Sequence, residues 1–135
     1  MEVSLPTPDE FRQTAAFRAE VRTFLRNSEE AARRNGLTPQ RYLLLLMIKG
    51  AADGTERSTV TDLCQRLKLG QSTVTELVGR AHDVGLLERS SDANDGRVAH
   101  LYLTVEGENR VSSVVMELRG DRDRLVAMFA DASPL

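Results

Sequence analysis

The chain has 135 residues, 41% of them hydrophobic and 28% charged, with 18 Lys and Arg against 20 Asp and Glu and a formal net charge of −2. That length holds one domain with one core, and that charge balance excludes an indiscriminate polyanion binder, because neutralising phosphates requires basic residues segregated to one face. A single cysteine, Cys64, excludes an intrachain disulfide.

Thr7-Pro8-Asp9-Glu10 supplies an N-cap, a proline at the first helical position and a capping-box acid, so a helix starts there. Phe17, Val21, Phe24 and Leu25 form its apolar stripe, Arg12, Arg18, Arg22 and Arg26 lie elsewhere, and Asn35-Gly36 is its stop. Thr38-Pro39 opens a second helix in the same way. Its Tyr42 to Ile48 run is apolar on all sides, which predicts a helix buried in the middle of the domain. Lys49 to Arg57 reads as a polar connection without contacts of its own.

Val60, Leu63, Cys64 and Leu67 fall at i, i+3, i+4 and i+7, a short amphipathic helix that Thr59 and Asp62 can box. Lys68-Leu69-Gly70 interrupts the pattern. A second stripe, Val74, Leu77, Val78 and Ala81, closes at Gly85 and leaves Gln71, Ser72, Thr75, Glu76, Gly79, Arg80 and Asp83 facing outward. Leu86 to Arg89 and Arg97 to Leu103 are strand-like, with a tip of turn formers from Ser90 to Gly96 between them. Val111, Val114, Val115, Leu118, Leu125, Val126 and Phe129 mark a C-terminal helical stripe with a break expected at Gly120-Asp121, so the stretch forms one kinked helix or two.

Two short helices, a polar hairpin and a third helix start, from Thr59 to Gly107, are the plan of a winged helix-turn-helix, and the partner this suggests is duplex DNA. Arg97 at the end of the tip could place a guanidinium in a narrow minor groove; the plainer alternative is a solvated loop with a surface arginine. From Arg57 to Arg97 the cations Arg57, Arg66, Lys68, Arg80, Arg89 and Arg97 are matched by Asp62, Glu76, Asp83, Glu88, Asp92 and Asp95. Weak non-specific binding and a marked salt dependence of any specific complex follow.

The runs Thr59-Val60-Thr61-Asp62-Leu63, Ser72-Thr73-Val74-Thr75 and Gly85-Leu86-Leu87-Glu88-Arg89, then Asp92, Asp95 and Arg97, then Leu103-Thr104 with Gly107, resemble the MarR family of bacterial transcription regulators. The resemblance is specific from about Leu37 to Gly107. It implies a mainly α fold with a small β-wing, an α+β winged helix-turn-helix with N- and C-terminal dimerisation helices: one domain over 1–135, a winged lobe over 37–107, and a helical dimerisation region over 8–36 and 104–132. It also implies a repressor that works as a homodimer on a palindromic operator, with half-sites about 34 to 36 Å apart.

The DNA-binding residues implied are Gln71, Ser72, Thr73, Thr75, Glu76 and Arg80 on the recognition helix, with Asn94, Asp95 and Arg97 on the wing. Glu76 departs from a position often basic in the family; it either accepts from a cytosine amino group or holds Arg80 as an i, i+4 pair, and the second reading is favoured. Gly96 likewise stands where a basic residue is common. Thr104 is expected to cap the next helix, and Gly107 to allow close packing. The family's effectors are often aromatic acids and other phenolic compounds, for which Phe17, Arg18, Tyr42 and Met47 are candidate lining residues, each of which core or dimer packing also explains. The alternative from another class is a winged-helix protein-interaction module without direct DNA readout.

Cys64, on an inner stripe, reads as a structural thiol rather than a redox sensor. His82 and His100 have no second Cys or His at ligand spacing, so no metal is expected. No cofactor is expected, and neither a phosphate loop nor a nucleophile motif points to an enzyme. With no signal peptide or span in view, the chain is expected in the cytoplasm.

Overall fold

The computed structural model describes residues 3–91, 94 and 96–132. In chain order it contains α1 (Pro8–Arg34), α2 (Pro39–Lys49), α3 (Val60–Leu67), α4 (Gln71–Asp83), β1 (Leu87–Ser91), β2 (Ala99–Leu103), α5 (Val105–Glu117) and α6 (Arg119–Ala132). The fold is the α+β winged helix expected from the sequence.

Local chemistry sets the helix starts. Thr7, Thr38, Thr59 and Thr104 each accept a hydrogen bond from a backbone N–H three residues on, capping α1, α2, α3 and α5. At α3 the box is complete, because the Asp62 carboxylate also accepts from the Thr59 N–H at 3.1 Å. Lys68, in the left-handed region at φ 59°, ends α3. Gly85, at φ 75°, makes the turn from α4 towards β1, a conformation a side chain resists.

α2 is the central element, packed against α1, α3, α4, α5 and β2. Its Leu44, Leu45 and Ile48 meet Leu63 of α3, Val74 and Val78 of α4, Leu101 and Leu103 of β2, and Val111 and Val114 of α5 in one core. Ala31 and Ala32, near the end of α1, are fully buried in the same cluster. The outer part of α1 meets α6, where the Phe17 and Phe129 rings lie edge to face at 5.0 Å.

β1 and β2 pair antiparallel from Leu87 opposite Leu103 to Ser91 opposite Ala99. Ser58 adds a third edge, exchanging backbone hydrogen bonds of 3.1 and 2.8 Å with Leu101.

Several expectations need correction. α2 is not buried all round: Leu43 is 40% exposed, and Leu46 and Met47 are half-buried. An all-apolar run carries no periodicity to show which side faces out. Ser90 and Ser91, read as tip, extend β1 because Arg57 and the facing strand supply their partners. The C-terminal helix breaks at Leu118, ahead of Gly120, and leaves two separate helices.

The connection after α2 also makes contacts of its own. Lys49 Nζ donates to Glu56 at 2.9 Å and to Glu108 of α5 at 2.8 Å, and these bonds, that to Glu108 first, push the lysine above its ordinary value.

Candidate nucleic-acid interface

α3 and α4 are joined by Lys68-Leu69-Gly70, with the Leu69 N–H returning to the Cys64 carbonyl at 3.3 Å. α4 buries Val74, Val78 and Ala81 against the core, which fixes its opposite face outward. Gln71, Ser72, Thr73, Thr75, Glu76 and Arg80 are all exposed, as the stripe predicts. Gln71, Ser72, Thr75 and Glu76 form an open polar shelf at the start of the helix.

α4 begins at Gly70 without a side-chain cap. Its first-turn N–H groups therefore point outward at the positive end of the helix dipole, where phosphate oxygens are favourable partners. Along the same face Arg80 Nη2 donates to Glu76 Oε1 at 2.6 Å, the i, i+4 pair favoured from the sequence.

Beside α4 the wing projects as a two-stranded ribbon. Asn94 and Arg97 are exposed at its end, while Asp95, the third wing residue the resemblance implies, lies outside the described residues, as does Asp92. The root of the wing is fastened by Arg57. Its guanidinium stacks 5.1 Å above the Tyr102 ring and donates to Ser90 Oγ at 3.3 Å, so it grips both strands at once. In the sequence Arg57 counts only as one cation at the end of a polar connection. A cation placed over an aromatic ring on a distant strand leaves no periodic signal.

On the other side the wing is locked to α5. Thr104 Oγ1 donates to the Gly85 carbonyl at 2.7 Å, the Thr104 N–H donates to the Leu86 carbonyl at 3.1 Å, and Gly107 lies so close to Leu86 that a Cβ would sit 2.1 Å from its oxygen. Both structural roles expected of Thr104 and Gly107 are met.

The four candidate effector residues fall in different places. Phe17 and Arg18 border an open crevice of about 450 Å³ along α1, with Val21, Arg22 and Leu25. Tyr42 borders a second, of about 200 Å³, between α1 and α2, and Leu25 and Glu29 are common to both. Tyr42 is buried, which pushes its phenol above the ordinary value. Met47 packs against the core and lines neither crevice. Cys64 is half-buried against the core. Among the described residues no group of three or more His, Cys, Asp or Glu is placed to hold a metal ion, and no helix is long and apolar enough to cross a membrane.

Residues 35–98 match the model of the MarR family, from the cap of α1 to the threshold of β2. The fold agrees along nearly the whole chain. AbsC, a MarR family transcriptional regulator from Streptomyces coelicolor, is similar at a TM-score of 0.70 and 19% identity, over 98% of this chain and 86% of that one. A mutant MarR from E. coli complexed with operator DNA is similar at 0.65 and 19% identity, over 90% and 85%. A mutant MepR from S. aureus bound to an oligodeoxyribonucleotide gives 0.67 and 20%, over 84% and 81%. No curated protein matches significantly. The molecule is a winged helix whose residues 35–98 match the MarR family and whose fold is similar to that of MarR family regulators.

Proposed function

We propose that the chain is a cytoplasmic, homodimeric repressor that reads a palindromic operator with α4 of each protomer and is released by a small aromatic or phenolic ligand. The observation that carries the reading is α4 itself, exposed along its polar face, uncapped at its start and held from behind by Val74, Val78 and Ala81. Gln71, Ser72, Thr73 and Thr75 would contact phosphates and base edges, with Glu76 and Arg80 further along the helix. Asn94, Asp95 and Arg97 would reach the flanking minor groove. Operator DNA bound to MarR from E. coli lends the reading support from a similar fold. The role is regulatory rather than enzymatic.

The division of labour proposed is a winged lobe over 37–107 and a dimerisation region from 8–36 and 104–132. Exposed Phe11, Leu25, Met116, Val126 and Phe129 on the outer helices support it, because a single copy leaves them in water. The effector would enter between the two regions, near Phe17, Arg18, Tyr42 and Met47. Selection of bound duplexes from a random pool, repeated with phenolic acids, tests the whole reading. A palindrome with half-sites about one helical turn apart, roughly 34 to 36 Å, is expected, and retention should fall with an active ligand. Failure to enrich any palindrome would overturn it.

A further inference from the structure

Ser72, Glu76 and Arg80 stand at i, i+4 and i+8, one exposed ladder along α4. Glu76 and Arg80 are joined at 2.6 Å while their side chains remain 62% and 66% exposed. The bond occupies one of the five guanidinium N–H groups and one of roughly four acceptor positions on the carboxylate. The pair therefore still presents an acceptor and several donors side by side to whatever lies against the helix.

That pattern has a complement on a single base pair. In the major groove cytosine offers its N4 amino donor, and the guanine opposite offers the O6 and N7 acceptors. The same pair is poorly suited to phosphates. Its net charge is zero, and a carboxylate beside a phosphate is repelled, so it contributes nothing to sequence-independent attraction.

We infer that the Glu76–Arg80 pair is a specificity determinant of this regulator, reading one C·G base pair in each half-site and disfavouring duplexes that lack it. The inference rests on the proposed DNA-reading function and names part of what that site recognises. Glu76 accepts from cytosine N4 and Arg80 donates to guanine O6 and N7, each remaining oriented by the other. A mere helix staple would leave base preference untouched when either residue changed.

The test is a selection from random duplexes run in parallel with the wild-type chain, Glu76→Gln and Arg80→Lys, followed by binding titrations to the selected site and to random duplex. The wild type should enrich a palindrome with a fixed C·G pair in each half. Glu76→Gln should relax that position about tenfold, within the range a good side-chain–base contact discriminates, and should bind random duplex several-fold more tightly. Arg80→Lys keeps the charge but loses the planar fork, and should relax the guanine preference. A wild-type palindrome whose preferences and random-duplex affinity stay unchanged in both variants would overturn this inference and leave the DNA-reading function standing. No wild-type palindrome at all would overturn both. Both positions are exposed, so both variants are expected to fold, and circular dichroism melts check it.

Discussion

Replacing Gly107 by alanine tests how tightly the wing is tied to α5. The new Cβ would lie 2.1 Å from the Leu86 carbonyl oxygen and 3.1 Å from its carbon, whereas ordinary contact begins at 3.4 Å, so α5 has to retreat from the α4–β1 turn. Leu86 is backbone on the fully buried side of the lobe and has little room to yield. Retreat stretches the Thr104 anchor, whose hydroxyl bonds the Gly85 carbonyl at 2.7 Å and whose N–H bonds the Leu86 carbonyl at 3.1 Å. Overpacking of this kind costs about 1–3 kcal/mol, and each anchor bond about 1 kcal/mol. Alanine recovers about 1 kcal/mol of helix propensity. The net loss should be about 2–4 kcal/mol, a large part of the roughly 5–15 kcal/mol of a whole domain. Urea unfolding at one fixed protein concentration reads it as a fall in the midpoint with the slope unchanged. Gly79→Ala is the matched control, because a Cβ there meets nothing within 4 Å on α4, and it should gain about 0.5–1 kcal/mol. If Gly107→Ala were as stable as the wild type, or gained like Gly79→Ala, the close approach of α5 to Leu86 would be wrong.

Arg57→Ala removes the stack on Tyr102 and the bond to Ser90, and should cost about 0.5–1 kcal/mol in urea unfolding; Arg57→Lys, which keeps the charge without the plane, should recover only part, and full recovery would show that charge alone matters. Lys49 is held above its ordinary value of 10.5 by Glu108 and Glu56, so its contribution to stability is complete below that value and lost as pH rises through the raised one. The stability difference between the wild type and Lys49→Met should therefore stay level at neutral pH and shrink above about pH 10.5; a difference that grows with pH would contradict it. Phe129→Asp places a carboxylate against Phe17 on the proposed dimer face, and light scattering should show a monomer where the wild type is a dimer, an unchanged mass counting against that face.

What the sequence made legible follows the range of each interaction. The helix starts at Thr7, Thr38, Thr59 and Thr104 were readable because a cap and the N–H it accepts from lie three residues apart. The inward stripe of α4 was equally local, and it gave the outward set from Gln71 to Arg80 directly. The fastening of the wing to the segment between α2 and α3 was not readable. Lys49 finds Glu108, Arg57 finds Tyr102, and Ser58 finds Leu101 only after the chain has folded back on itself. Polar residues that serve such contacts look, in sequence, like an ordinary solvated connection. The same holds for Ser90 and Ser91, weak strand formers that tertiary partners drew into β1.

These long-range contacts divide the molecule into a stiff part and a compliant one. The start of α5 is tied to the wing by Thr104 and Gly107, to the segment before α3 through Lys49 and Glu56, and that segment to both strands through Arg57 and Ser58. Val111, Val114 and Leu118 then join it to Ala31 and Ala32 in the common core. Outside that body the character of the contacts changes. Arg34 meets Glu117 at 3.1 Å with the two side chains partly in water, and Asn27 donates to Asp121 at 3.1 Å in a part-buried bond. A largely solvated ion pair such as Arg34–Glu117 contributes about 0–1 kcal/mol, far less than the buried apolar contacts of the lobe. The weaker contacts thus lie between the outer helices themselves, and the stronger ones hold α4 and the wing to the core. In the proposed dimer, the outer helices could therefore adjust their pairing without loosening the surface that α4 presents.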